Sequence, residues 1–496
     1  MDRRKFLKYV TASASAATLS SSCSLWPGKN AAEKPAGKPN FIFFLIDDLG
    51  WSDLECYGSN FYETPNIDKL ASKGMRFTDA YAAAPVCSPT RASIMTGKYP
   101  ARIGITDWIP GFGLVEGAKV VPAENKQFLP LEEITIAESL QEAGYKTCFA
   151  GKWHLGGNSF EPEHQGFEMV AGGNSWGMPK TYFSPYGHPK LKDGPAGEYL
   201  TDNLTDRTIE FIHKNKSQPF LMFLSHFAVH IPIQAKEKYI AKYKAKAAAL
   251  PQTDKPRFEN VVSEIATYKT TKVRQIQDDP VYAGMIQSVD DSIGRVMKTL
   301  EDLHISENTI IILTSDNGGL STAEGSPTSN LPLKAGKNWL YEGGIRVPAI
   351  IKWPGITNPG SICSTPITST DYYPTMLKMA GIALKPLQHV DGVDILPLLK
   401  GEKDIGRADI FWHYPHYGKK GDFPAGAVRE GNWKLIENYE NNLVELYDIE
   451  RDLSETKNLA ARHPEVVQRL REKLRHFRKD TGAKMPTSDI NGDIVL

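Results

Sequence analysis

The chain has 496 residues, 41% of them hydrophobic, and its 58 Lys and Arg are balanced by 58 Asp and Glu. A net charge of zero argues against a nucleic-acid or general polyanion binder, whose affinity comes from massed basic charge; an anionic ligand has to be captured by a few well-placed cations. The length suffices for at least one large core and suggests two to three domains, although one big α/β unit can absorb most of it.

Residues 1–38 read as an export signal and linker. Arg3-Arg4 precede Phe6-Leu7 and an apolar stretch from Tyr9 to Leu19, too short to span a bilayer. This resembles a twin-arginine (Tat) signal, implying the Tat export machinery as a partner and a periplasmic or extracellular location. Cys23 is a candidate lipid anchor, although Ser20 stands where an aliphatic residue is expected. The fold is expected to begin near Pro39.

Phe41–Ile46 is a continuous apolar run ending in Asp47-Asp48, the pattern of a strand buried on both faces. Thr64 is placed to cap, and Pro65 to open, a helix. Thr135 and Glu138 have the spacing of a capping box. Tyr145–Ala150, Phe220–Leu224 and Thr309–Thr314 read as further strands, the last running into Ser315-Asp316-Asn317-Gly318-Gly319. Met285, Val289, Ile293, Val296 and Leu300 lie on one helical stripe. Asp47, Asp48, Lys152, His154, His230, Asp316 and Asn317 thus all follow strand-like runs. Ligand sites of open α/β sheets form at the carboxyl ends of strands, so the recurrence predicts one composite site.

Residues 235–277, rich in Lys and Ala, read as a partly helical surface insertion near the pocket mouth. After Asp391-Gly392 and Leu396–Leu399 the texture changes: short strands at 409–413, 427–428, 433–436 and 444–447 precede a helix at 464–479. The expected division is a catalytic α/β domain over 39–400 and a C-terminal α+β subdomain over 401–496 that completes the substrate pocket. There is no internal repeat and no transmembrane span. Cys56, Cys148 and Cys363 show no disulfide framework and read as buried thiols.

The stretch Cys87-Ser88-Pro89-Thr90-Arg91-Ala92-Ser93-Ile94-Met95-Thr96-Gly97 puts Cys87 at a helix N-terminus, with Gly97 just past the helix end. Unpaired N–H groups and the helix dipole favour an anion there. Taken alone, the cysteine reads equally as a buried or low-pKa thiol at a cap. Asp47-Asp48 and Asp316-Asn317 supply four hard oxygen donors, which suit Ca²⁺ or Mg²⁺, whereas zinc favours His or Cys. Either pair by itself is an ordinary strand-ending turn.

Cys-x-Pro-x-Arg followed by Ala-Ser-Ile-Met-Thr-Gly resembles the signature of the type I, formylglycine-dependent sulfatases of the alkaline-phosphatase-like superfamily. Gly151-Lys152-Trp153-His154-Leu155-Gly156, Phe227–Pro232, and Leu333–Lys337 ahead of Tyr341–Pro348 are similar to further blocks of that family. They occur in the family's order between Pro39 and Leu459. In texture the chain is nearest the bacterial arylsulfatase and N-acetylgalactosamine-6-sulfatase-like polysaccharide sulfatases. Two departures stand out: Val229 occupies a place where the block normally carries Pro, and Lys334 one where Arg is common.

The resemblance implies an α/β fold with a large mixed, mostly parallel sheet flanked by helices, plus a smaller C-terminal antiparallel sheet and helix. It also implies oxidation of Cys87 to 3-oxoalanine (formylglycine) by a formylglycine-generating or sulfatase-maturating enzyme. Ca²⁺, or less favourably Mg²⁺, is then held by Asp47, Asp48, Asp316, Asn317 and the modified Cys87. The implied catalytic residues are Cys87, Arg91, Lys152, His154, His230 and Lys337. Lys152 stabilises the aldehyde hydrate and sulfate, and His154 acts as base on the hydrate. His230, with Lys337, contacts sulfate and protonates the leaving alcohol, and Arg91 offsets sulfuryl charge. His226 is a rival to His230.

Phe411–Tyr417 is dense in rings and imidazoles, which makes His413 and His416, with Arg429, candidate substrate-binding residues; core packing is the other reading. By family analogy the substrate is a sulfated carbohydrate, a polysaccharide or glycosaminoglycan fragment. Two alternatives remain open: a phosphate or phosphonate monoester hydrolase of the same superfamily, and a non-catalytic sulfated-glycan binder. The complete motif set favours the hydrolase.

Overall fold

Alternate residues of β1 (Asn40–Ile46) enter two different cores, Ile42, Phe44 and Ile46 on one side and Phe41, Phe43 and Leu45 on the other. A strand covered on both faces has no polar side to show, which explains its unbroken apolar sequence. The computed structural model describes residues 37–251, 254–266, 271–407, 409–418 and 421–488. The export-signal reading and Cys23 lie outside them.

The strands that follow are β2 (Met75–Tyr81), β3 (Lys146–Gly151), β4 (Met169–Gly172), β5 (Phe220–His226), β6 (Phe258–Asn260), β7 (Lys272–Arg274), β8 (Thr309–Ser315), β9 (Arg346–Lys352), β10 (Ser361–Cys363) and β11 (Ile367–Thr368). The main sheet runs β10-β2-β9-β8-β1-β5-β3-β4, with β11 also on β2. β9 is antiparallel to both neighbours, and the other pairings are parallel. This is the mixed, mostly parallel sheet expected.

The helices are α1 (Pro65–Lys73), α2 (Cys87–Thr96), α3 (Pro100–Ile103), α4 (Ile136–Glu142), α5 (Leu200–Asn215), α6 (Glu237–Ala248), α7 (Pro280–Asp302), α8 (Glu342–Ile345), α9 (Tyr372–Met379) and α10 (Leu396–Leu399). Residues of α1, α5, α6 and α7 fill the first core, those of α2, α4, α9 and α10 the second. The predicted stripe from Met285 to Leu300 is buried in the first.

Thr135 and Glu138 do form a capping box. Thr64 precedes α1, yet its side chain caps nothing. The N–H groups of Asn66 and Ile67 donate instead to Asp290 Oδ1, at 3.0 and 2.8 Å. A carboxylate from α7 thus satisfies donors that a local cap would otherwise take.

The 235–277 segment supplies α6 and the β6–β7 pair. The helical surface insertion expected here is present as α6, which Tyr243, fully buried, anchors to the first core. The cysteines among the described residues are free; Cys148 is buried, but Cys56 and Cys363 are only half-buried, the latter because β10 is an edge strand.

The C-terminal sheet has the antiparallel order β12 (Asp409–Tyr414), β13 (Ala425–Glu430), β14 (Trp433–Asn438), β15 (Val444–Asp448). On one face Val428, Leu435 and Leu446 pack against Leu470, Leu474 and Phe477 of α11 (Pro464–Thr481). On the other, Trp412, Ala427 and Ile436 cluster with Tyr81, Trp339 and Tyr341.

Candidate active site

Strand register decides which side chains meet. Ile46 of β1 lies opposite both Ser315 of β8 and His226 of β5, and Gly151 of β3 lies opposite Ser225 of β5. Four adjacent strands therefore stop at one level. Asp47 and Asp48, Asp316 and Asn317, Lys152 and His154, and the 227–230 turn all leave the sheet along that edge. Asp48 and His154 take the left-handed backbone region, with φ of 60° and 59°. That conformation is uncommon outside glycine and is held here by bonds from Asp48 N to Asp316 Oδ1 (3.1 Å) and from His154 N to Asn174 O (3.1 Å).

α2 delivers the cysteine. Gly97 ends the helix at φ 69°, where a Cβ would come within 2.5 Å of His389 Cβ. Cys87 opens the helix, and no side chain caps its first turn. Its Sγ is grouped with carboxylate oxygens of Asp47 and Asp316, and also with Asp48 and His230, the ligand atoms within each group lying within 4.8 Å of one another. Burial pushes the Cys87 thiol up to about 12, against the opposing pull of Lys152 and Lys337.

Three fully buried carboxylates are matched by three buried cations. Arg91 pairs with Asp316 at 2.7 Å and with Asp47 at 3.4 Å. Lys152 Nζ bonds both oxygens of Asp47, at 2.9 and 2.7 Å. Lys337 Nζ reaches Asp48 Oδ2 at 2.9 Å and Glu324 Oε1 at 3.0 Å. Burial raises the Asp47 carboxyl well above its ordinary range, opposed by Lys152. Burial also acts on Asp316, but there Arg91 and Lys152 prevail and hold it low. Against burial, Asp48 keeps the Lys337 ammonium firmly protonated.

The same oxygen cluster fits a hard divalent cation. Asn317 Nδ2 donates to Asp48 Oδ1 at 2.8 Å, while its buried Oδ1 has no hydrogen-bond partner. An orphaned amide oxygen beside three carboxylates is the donor chemistry of Ca²⁺ or Mg²⁺.

Above the cluster lies a cavity of about 590 Å³ lined by Cys87, His154, His230, Lys337 and Glu324, with Trp108, Ile109, Pro110, Phe112 and Met178 as an apolar wall. His154 Nε2 lies 2.6 Å from Ile109 O and must carry the hydrogen, because a carbonyl only accepts. Its Nδ1 is left without a partner, and burial, then Lys152, keeps the ring neutral. The ring is thus set up as a base. Burial followed by Lys337 also lowers His230, whose Nε2 lies 3.5 Å from Asp48 and 3.3 Å from Glu324.

Some predicted residues are placed elsewhere. Arg91 is not among the residues lining the cavity. Its Nε donates to Asp316 and its Nη1 to Lys152 O and Ser225 Oγ, while Nη2 faces Asp316 and Asp47 as an ion pair with no hydrogen bond, so the side chain braces the carboxylates. His226 turns toward α7 and meets Ser292 Oγ at 3.0 Å. The structure does not bring His413, His416 or Arg429 to the cavity. His413 contacts Tyr439 Oη and Lys484 O, both at 2.9 Å. Arg429 binds Asp79 at 2.8 Å, and also Tyr81. His416 bonds Thr106 Oγ1 at 2.8 Å. These groups lie inside the C-terminal sheet or its seam with the main domain, where buried polar atoms must be satisfied by the protein itself.

Among the described residues, none of those lining the cavity comes from 401–496. The C-terminal sheet instead supports the 106–112 wall from behind, through His416 on Thr106 and Tyr414 Oη on Asp107 at 3.4 Å. Glu324 and that wall escaped the sequence reading. Both sit on loops without periodicity, and the only local sign was the number of glycines and prolines around them.

A family model described as Sulfatase matches residues 39–382, and one described as N-sulphoglucosamine sulphohydrolase, C-terminal, matches 335–480. The chain is 30% identical to a protein named Sulfatase from Formosa agariphila, over 88% of each chain. It is 32% identical to human Arylsulfatase A, over 88% of this chain and 87% of that one. The crystal structure of Ps i-CgsB in complex with k-i-k-neocarrahexaose superposes with a TM-score of 0.72 at 29% identity, covering 90% of this chain and 93% of the other.

Proposed function

Since the chain belongs to the sulfatase family, with the alkaline-phosphatase-like fold and sulfuric ester hydrolysis as its activity, we propose that it removes sulfate from a sulfated carbohydrate, using formylglycine at position 87 and Ca²⁺ at Asp47, Asp48, Asp316 and Asn317. The observation that carries this reading is the gathering of Cys87 Sγ with the three carboxylates beneath a cavity lined by His154, His230 and Lys337. The carbohydrate is supported by the oligosaccharide bound in the i-CgsB structure.

A hydrated aldehyde at position 87, with a divalent cation beside it, supplies an activated oxygen nucleophile that a buried, protonated thiol does not. The chain's own residues do the rest. Arg91 and Lys152 hold Asp316 and Asp47 in place. Lys337 is a permanent positive charge at the cavity wall and attracts the sulfuryl oxygens. His230 stands next to it, so the two face the departing alcohol and steer a proton to it. His154, neutral and with Nδ1 bare, receives a proton from the group at position 87.

Export through the Tat pathway to the periplasm or beyond, with Cys23 as a lipid anchor, belongs to the same proposal and rests on the sequence of residues 1–38. No described helix is long and apolar enough to cross a membrane. The test is mass spectrometry of the peptide containing Cys87, from chain co-expressed with a formylglycine-generating enzyme, paired with a desulfation screen over defined sulfated saccharides. We expect the aldehyde mass and release of sulfate from at least one saccharide. An active enzyme with an intact thiol refutes the formylglycine.

A further inference from the structure

Glu324 contributes a carboxylate to the wall of a cavity built for an anion. Like charge there weakens the binding of a bare sulfate, so the residue needs a reason. Its Oε1 accepts from Lys337 Nζ at 3.0 Å. Its Oε2 lies 3.3 Å from His230 Nε2, but in a geometry that makes no hydrogen bond, and this buried oxygen has no partner. The backbone is pinned in place: Glu324 has φ 54°, Ser326 N bonds Ala323 O at 2.9 Å, and Arg274 holds Ser326 O at 3.0 Å. The oxygen is therefore a fixed acceptor rather than a mobile side chain that happens to point inward.

The other wall is apolar. Trp108 and Phe112 pack edge to face, with centroids 5.0 Å apart, and Met178 and Ile231 extend that surface. A pyranose ring has this division of character: C–H groups on its face and hydroxyl donors around its edge. Building on the carbohydrate reading above, we propose that Glu324 is a specificity-determining residue. Its Oε2 accepts a hydrogen bond from a sugar hydroxyl close to the sulfate ester, while the Trp108–Phe112 wall receives the ring face.

Closeness follows from the distances. Both residues that face the ester, His230 and Lys337, are direct neighbours of the same carboxylate, so a hydroxyl bound there sits one or two carbons from the sulfated position. A substrate lacking that hydroxyl leaves Oε2 unsatisfied beside the sulfate charge. Sites built to bind a hydroxyl discriminate strongly against analogues without it. Glu324 thus selects for sulfated sugars over simple aryl sulfates.

The experiment compares kcat/KM on 4-nitrophenyl sulfate with that on a panel of monosulfated monosaccharides, for the mature enzyme and for Glu324→Ala and Glu324→Gln. We expect the saccharide-to-aryl ratio to fall about 100-fold in Glu324→Ala, mainly through saccharide KM, and less in Glu324→Gln, whose amide oxygen still accepts. Equal losses on both substrates overturn the proposal and make Glu324 only a brace for Lys337. Glu324→Leu removes the acceptor at similar volume, so a ratio unchanged in that folded variant, with Glu324→Ala unfolded, also overturns it. Wild-type enzyme that cleaves the aryl ester but no saccharide removes the carbohydrate reading itself, a different failure from the first.

Discussion

Lys337 Nζ lies 2.9 Å from Asp48 Oδ2, although the two residues are 289 positions apart. With Lys152 on Asp47 and Arg91 on Asp316, it makes the proposed cation site a balanced buried cluster. A divalent ion held by this cluster would bind the folded chain alone. Calcium returned to chelator-treated protein should therefore raise Tm, by the equivalent of about 2.7 kcal/mol at one hundred times Kd. Asp48→Ala and Asp316→Ala should abolish the rise. Calorimetry of the three proteins checks this, and an equal rise in all of them places the ion elsewhere.

The position of Cys87 at the start of α2, beside Asp316, bears on turnover directly. Cys87→Ala and Asp316→Ala should each eliminate hydrolysis of 4-nitrophenyl sulfate. Cys148→Ser should leave it largely intact, because Cys148 is a buried thiol of the first core. The same assay run on 4-nitrophenyl phosphate should show sulfate strongly preferred; dominant phosphatase activity contradicts the assignment.

Asp107 stands behind the apolar wall, and burial pushes its carboxyl up to about 8. The folded-state pKa therefore lies above the unfolded value. Between about pH 4 and 8 the folded chain keeps a proton that the unfolded chain has released, so this group's contribution to stability falls as pH rises. Asp107→Asn removes the titration. Its stability relative to wild type should improve by about 3 kcal/mol between pH 5 and pH 8, measured by denaturant unfolding. A pH-independent difference rules out the shifted carboxyl.

Lys434 of β14 has no exposed side-chain surface and pairs at 2.9 Å with both Glu342 and Glu455. Lys434→Met leaves buried Glu455 without its cation and Glu342 with Arg346 as its remaining ion pair, and loss of one partner of a buried pair costs about 3–5 kcal/mol. A large fall in Tm is expected. A loss below about 1 kcal/mol means that water or neighbouring groups already satisfy those carboxylates.

Much of the site was legible in the chain before any packing was known. β1 and β8 announce themselves as unbroken apolar runs, and the polar residues at their ends can only emerge at the sheet edge. The helix of Cys87 is bounded by its own Gly97, and the motif blocks around Lys152, His230 and Lys337 are contiguous stretches. All of this is short-range information: periodicity, capping and spacing act over a few residues and survive in the linear order. The inward packing of His413, His416 and Arg429, the capping of α1 by Asp290, and the meeting of Glu324 with the 106–112 wall are of another kind. Each depends on which distant segment arrives to satisfy a buried polar atom or to leave one open, and only the assembled tertiary structure decides that.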